Sequence, residues 1–202
     1  MQGWSLVGVA SLALVALHFA LFAWGGTEEP GVRMVVRASA RASFAIFLLA
    51  YLARPARQLW PAPFTRWMSR NRRYLGVSFA VAHGLHGLDI ALLALLLGDG
   101  FVVEPVTLVG GGLAYVLLAA MALTSFDRSA RWLGPRRWKA LHRFGIHYLW
   151  FIFAQNWTQA AFQSPGYLPL ALASWGALGV RIAAWRARRG VGTGAAAPAR
   201  AS

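Results

Sequence analysis

The sequence predicts an all-α integral membrane protein, a six-transmembrane-helix bundle with both termini in the cytoplasm. Three observations carry this. Of the 202 residues, 58% are hydrophobic and 13% are charged, against roughly 25% charged in soluble domains. The apolar residues fall into six stretches near the length that crosses a bilayer. The arginines gather in alternate loops. A single compact bundle, residues 1–189, accounts for most of the chain, and residues 190–202, rich in Gly and Ala, are expected to be a disordered cytoplasmic tail.

The first apolar stretch is 5–24, near the ~20 residues a spanning helix needs. No basic residue precedes it, so it is expected to be a retained helix rather than a signal peptide. Gly25, Gly26 and Pro30 separate it from the second stretch, 34–53, whose outer half carries Arg37 and Arg41. Pro55, Pro61 and Pro63 mark the following loop. The third stretch, 75–97, ends at Gly98-Asp99-Gly100, and Pro105 opens the fourth, 106–124. Gly134-Pro135 precedes the fifth, 138–162, and Ser164-Pro165-Gly166 parts it from the sixth, 168–185. Helices are the spanning structure expected, because lipid offers no partner for backbone N–H and C=O groups.

Charge sets the orientation. The loop after the second stretch carries Arg54, Arg57, Arg66, Arg70, Arg72 and Arg73. The loop before the fifth carries Arg128, Arg131, Arg136, Arg137 and Lys139, and the end of the sixth carries Arg181, Arg186, Arg188 and Arg189. Glu28, Glu29, Asp99 and Glu104 fall on the other side of a six-span chain. The net charge of +14 therefore reads as membrane orientation and headgroup contact with the lipid bilayer, not as a nucleic-acid surface. Arg33, Arg37 and Arg41 depart from this pattern and share one helix face. They read either as side chains snorkelling outward, paired with Glu28 or Glu29, or as a cationic clamp for a haem propionate or substrate carboxylate.

All five histidines lie in or at the apolar stretches, where polar groups are costly and mark function. His83 and His86 are three apart on the third stretch and share a face. His142 and His147, on the fifth, are separated by about 140° around the helix. His83 lies 11 residues after Arg72 and His147 lies 11 after Arg136, which predicts equal depth. His86 and His142 are then offset by about 12 Å. Histidines on two spans suit a b-type haem held by axial imidazoles. Gly84, Gly87 and Gly145 would allow close helix approach, with Phe79, Tyr148, Trp150, Phe151 and Trp157 as aromatic walls. A bare metal site is the weaker reading, since Asp89 is the only acid within a span. A proton relay through His86 and Asp89, or plain interhelical hydrogen bonding, are the others. Asp89 reads as a group fixing a histidine tautomer or as one facing a polar crevice. His18 reads as structural. The absence of cysteine excludes disulfides, iron–sulfur clusters and covalently attached haem.

The run Arg72-Arg73-Tyr74-Leu75-Gly76 followed by Leu85-His86, together with Trp138-Lys139-Ala140-Leu141-His142-Arg143, resembles the ferric reductase-like transmembrane domain family over about residues 40–160. That family includes haem-binding membrane subunits of bacterial reductase systems. The resemblance implies a multi-pass protein of the bacterial inner membrane that carries electrons across the bilayer on haem b. It implies His86 and His142 as axial ligands to haem iron and a reductase partner subunit. The family commonly has a second histidine thirteen residues after the first on the fifth span. Here that position is Gln155, beside Asn156. His147, opposite His83 or His86, stands in, and one haem is expected rather than two. Arg37 or Arg41 would neutralise a propionate. No Gly-rich dinucleotide fingerprint follows a strand pattern, so electrons are expected from a donor protein or from quinol. The competing reading is a non-redox membrane protein, a small transporter or an assembly partner, that keeps the fold without haem.

Overall fold

Proline stands in the first turn of four of the helices, where its missing N–H costs no intrahelical bond. Pro30 stands in the first turn of α2 (Glu29–Leu59), Pro63 opens α3 (Pro63–Arg70), Pro105 opens α5 (Pro105–Leu123) and Pro135 opens α7 (Pro135–Gln163). The remaining helices are α1 (Trp4–Gly25), α4 (Arg72–Leu97), α6 (Asp127–Leu133) and α8 (Leu168–Gly194). Single 3₁₀ turns, Gly98–Gly100 and Pro165–Tyr167, precede α5 and α8. This computed structural model describes residues 2–194, and no strand occurs among them. The last eight residues of the expected tail lie outside the described residues.

Among the described residues, five helical segments are long and apolar enough to cross a membrane: Trp4–Gly25, Glu29–Leu59, Arg72–Gly100, Pro105–Leu123 and Pro165–Arg189. Helix α7 has 29 residues, ample length for a bilayer, but its Arg, Lys, His, Gln and Asn content keeps it out of that set. The outer faces of α1 and α5 are apolar, with Leu12, Phe19, Val106 and Val109 all exposed. That is the inverse of a soluble surface and suits lipid contact.

Helix α2 is the central element, packed against α1, α3, α4 and α8, while α7 packs on α5 and α8. Its residues Phe44, Phe47 and Tyr51 are buried with Phe79 of α4, Leu118 of α5 and Leu149, Phe153 and Trp157 of α7 in one core. The rings of Phe44, Phe47, Phe79 and Phe153 interlock at centroid distances of 5.1 to 6.0 Å.

Helix α2 also runs past Pro55, which the sequence reading placed in a loop. A proline there removes the hydrogen bond to the carbonyl four residues earlier, that of Tyr51. Arg181 of α8 fills the vacancy: its Nη1 donates to the Tyr51 carbonyl at 2.8 Å. The long-range arginine is what makes an interior proline tolerable.

Where α1 turns into α2, a Cβ at Gly31 would collide with the Gly25 and Gly26 carbonyls. These are backbone atoms and cannot swing aside. Gly31→Ala is therefore expected to destabilise the protein by about 1–3 kcal/mol, an overpacking cost, measurable as a lower unfolding midpoint in detergent.

Candidate functional site

The two α4 histidines are anchored on α2. The Ser43 hydroxyl donates to the Ala40 carbonyl at 3.0 Å and lies 3.2 Å from His83 Nδ1. One turn away, the Ser39 hydroxyl donates to the Val36 carbonyl at 3.2 Å and lies 3.0 Å from His86 Nδ1. With each hydroxyl proton spent on its own helix, the serine oxygen accepts from the ring, so Nδ1 carries the proton and Nε2 keeps its lone pair. A metal-ligating histidine has one ring nitrogen free and the other held by a neighbour, and for these two the free one is Nε2. The four-residue spacing of the serines matches the three-residue spacing of the histidines on antiparallel helices. His83 is further enclosed by the Tyr115 ring, stacked at 5.0 Å and 18°, and by Phe79 and Phe153. The two imidazoles lie 5.2 Å apart.

Asp89 turns toward α1 instead of α7. Its Oδ2 lies 3.0 Å from His18 Nε2, and both residues are buried. His18 Nδ1 donates to the Leu14 carbonyl at 2.8 Å, so the single proton between Nε2 and Oδ2 belongs to the pair. Of the two readings of Asp89, the structure supports the one that fixes a histidine, and that histidine is His18.

On α7, His142 stacks on Trp138 at 4.2 Å and its Nε2 lies 3.1 Å from Thr124 Oγ1. Thr124 Oγ1 donates to the Ala120 carbonyl at 2.7 Å, so His142 donates through Nε2 and keeps its lone pair on Nδ1. His142 lines a cavity of about 360 Å³ between α2, α4, α5 and α7. Phe47, Phe79, Leu118, Met121 and Leu149 give that cavity apolar walls, Arg54, Arg70 and Arg72 give it a basic rim, and Arg73 there is paired with Asp127 at 2.7 Å. Gly76 lies in the wall, with no atom within 4 Å of where its Cβ would stand. The His142 imidazole and the Met121 thioether are the lining groups of the kinds that ligate haem iron. His147 donates from Nδ1 to the Arg143 carbonyl at 2.7 Å and meets Tyr51 edge-on at 6.0 Å.

Helix α2 serves as a ruler for depth. His86 meets Ser39, His83 meets Ser43, His147 meets Tyr51, and Arg54 shares a cavity with His142. Ser39 and Arg54 are separated by about 20 Å of helix. His86 and His142 are therefore not brought together. His83 and His147 are offset by about 12 Å, not level as residue counting predicts. The α7 ring at the depth of His83 is Phe153, six residues beyond His147. The count misleads because α7 begins with two turns among basic side chains at the bundle's end, so Arg136 does not mark the same depth on α7 as Arg72 does on α4.

Gln155 and Asn156 are exposed, while Phe153, Ala154 and Trp157 face the core. Trp157 Nε1 is buried without a hydrogen-bond partner among the described residues. Arg33 pairs with Glu29 at 2.7 Å, one of the two pairings expected. Arg37 is exposed, and Arg41, also exposed, lies 5.1 Å over the Tyr167 ring. Neither borders the His142 cavity. Of the glycines beside the histidines, Gly84 faces outward, Gly87 packs on Tyr115, and Gly145 packs on the Met121 sulfur. No group of three or more His, Cys, Asp or Glu side chains placed to hold a bare metal ion occurs among the described residues.

No family model matches the chain, and no solved structure matches it. Curated proteins do. The chain is 32% identical over 162 residues to the protein-methionine-sulfoxide reductase heme-binding subunit MsrQ of Cronobacter sakazakii, covering 68% of this chain and 78% of that protein. It is 32% identical over 203 residues to MsrQ of Bordetella pertussis, covering 92% and 91% of the two chains. MsrQ of Azospira oryzae is 29% identical over 155 residues, 69% of this chain and 64% of the relative.

Proposed function

The chain belongs to the family of protein-methionine-sulfoxide reductase haem-binding subunits, and from that premise we propose that it holds a b-type haem in the membrane and passes electrons to a reductase partner. One haem per chain is the reading, and the observation that carries it is the cavity beside His142. Its apolar walls suit a macrocycle, its arginine rim suits propionate carboxylates, and His142 supplies an imidazole with a lone pair. Bound haem supplies one-electron redox chemistry. The chain's own residues orient and neutralise it: Thr124 holds the His142 ring, Trp138 stacks on it, and Arg70 and Arg72 stand at the rim.

His86, which the family resemblance marks together with His142, belongs to a second depth with His83, where the serine anchors leave both Nε2 atoms available. Arg37 and Arg41 lie on the same helix as those serines and would serve a propionate only for a haem placed at that depth. His147, near Tyr51, lies between the two depths.

The reading includes six spans, with α7 crossing and both termini in the cytoplasm of a bacterium bounded by its inner membrane. It is supported by the way Arg54, Arg72, Lys139, Arg143, Arg181 and Arg188 meet at one end of the bundle. The cysteine-free chain makes this testable with single introduced cysteines. Arg131→Cys on α6 is expected to react with impermeant thiol reagent only from the cytoplasmic side, and Ser164→Cys only from the outer side. Labelling of both from one side would mean that α7 does not cross. Electron carriage is tested by adding quinol or a flavoprotein donor to the haem-loaded protein: one of them is expected to produce the reduced-haem spectrum, and a haem that neither reduces would contradict the reading.

A further inference from the structure

A second cavity, of about 430 Å³, lies at the end of the bundle where α2 and α8 finish and α4 and α7 begin. Arg54, Arg72, Lys139, Arg143, Arg181 and Arg188 line it, and no Asp or Glu does among the described residues. Six cations converging on one space from four helices repel one another unless an anion is held between them. Arg72 and Arg181 are half-buried in this concavity, and Arg54, Lys139, Arg143 and Arg188 border it from exposed positions.

The wall is also held in place. Arg181 donates to the Tyr51 carbonyl at 2.8 Å and lies 4.3 Å over the Tyr51 ring, so one guanidinium is fixed before any ligand arrives. Gln58 Nε2 donates to the carbonyl of Ala184, itself a lining residue, at 2.6 Å and ties α2 to α8 beside the opening. Guanidinium forks suit the paired oxygens of a phosphoryl group. Basic pockets between transmembrane helices are a recurrent form of headgroup recognition.

We propose that this cavity is a binding site for a phosphoryl group, presented either by an anionic phospholipid or by a soluble phosphorylated compound. The site adjoins the haem cavity and shares Arg54, Arg72, Trp138, His142 and Ile146 with it, while Lys139, Arg143, Arg181 and Arg188 line this cavity and not the other.

The test uses the full-length protein with two probes, phosphatidylglycerol against phosphatidylcholine in nanodiscs, and inorganic pyrophosphate in detergent. Retained lipid is read by native mass spectrometry and pyrophosphate by calorimetry. The wild type is expected to retain phosphatidylglycerol in preference to phosphatidylcholine or to bind pyrophosphate. The double variant Arg54→Gln/Arg188→Gln should weaken that binding by roughly thirtyfold, and Arg54→Lys/Arg188→Lys should keep most of it, which controls for folding. Arg128→Gln/Arg131→Gln, which removes the same charge from exposed positions on α6, should change it by less than about threefold. A response confined to phosphatidylglycerol assigns a lipid, and one shared by pyrophosphate assigns a soluble ligand. An equal loss in the α6 control, binding of neither probe, or binding that vanishes once haem is loaded would each overturn the proposal.

Discussion

His18→Leu is expected to destabilise the protein by about 3–5 kcal/mol, because it strands Asp89 without its partner in the interior. His18 and Asp89 are both buried and joined at 3.0 Å. Removing one member leaves a polar group desolvated and unsatisfied, which costs far more than the net worth of the pair. The double variant His18→Leu/Asp89→Leu should recover most of the loss, since an apolar pair of similar volume suits that position. Unfolding midpoints of the two single variants and the double variant, measured in one detergent, check this. Simple addition of the single losses in the double variant would contradict it. The haem spectrum of His18→Leu should be unaltered, because the pair lies on α1 and α4, away from the His142 cavity.

His142→Ala should abolish haem retention, while His86→Ala should leave it largely intact. The asymmetry follows from depth: only His142 of the four candidate histidines lines the aromatic and aliphatic cavity. His86 sits beside Ser39, about 20 Å away along α2. Haem content per protein after purification, with the fold checked by helical circular dichroism, separates the two. Loss in His86→Ala with retention in His142→Ala would move the haem to the His83–His86 depth, and equal retention in both would remove haem from both.

The helical, membrane-type character of the chain was legible because apolar runs and proline positions are local properties. The family was legible too, from Leu85-His86 and the run 138–143. What was not legible depends on which side chains meet. Pro55 looked like a loop residue, since nothing nearby in sequence shows that Arg181 takes the Tyr51 carbonyl. The His18–Asp89 pair joins residues 71 apart. Each was visible as a polar residue in an apolar stretch, but only packing of α1 on α4 makes them partners. The serine anchors were missed although Ser39 and Ser43 share a face of the second span at a spacing that complements His83 and His86. Depth was misjudged for a different reason: arginine positions give orientation but do not fix where each helix starts.

The most direct test of the central claim is the haem-to-protein ratio, with its redox spectrum, of the full-length protein purified after expression with haem supplied. The account predicts about one b-type haem per chain, with a Soret band that shifts on reduction. A folded, helical and colourless protein under those conditions would contradict it.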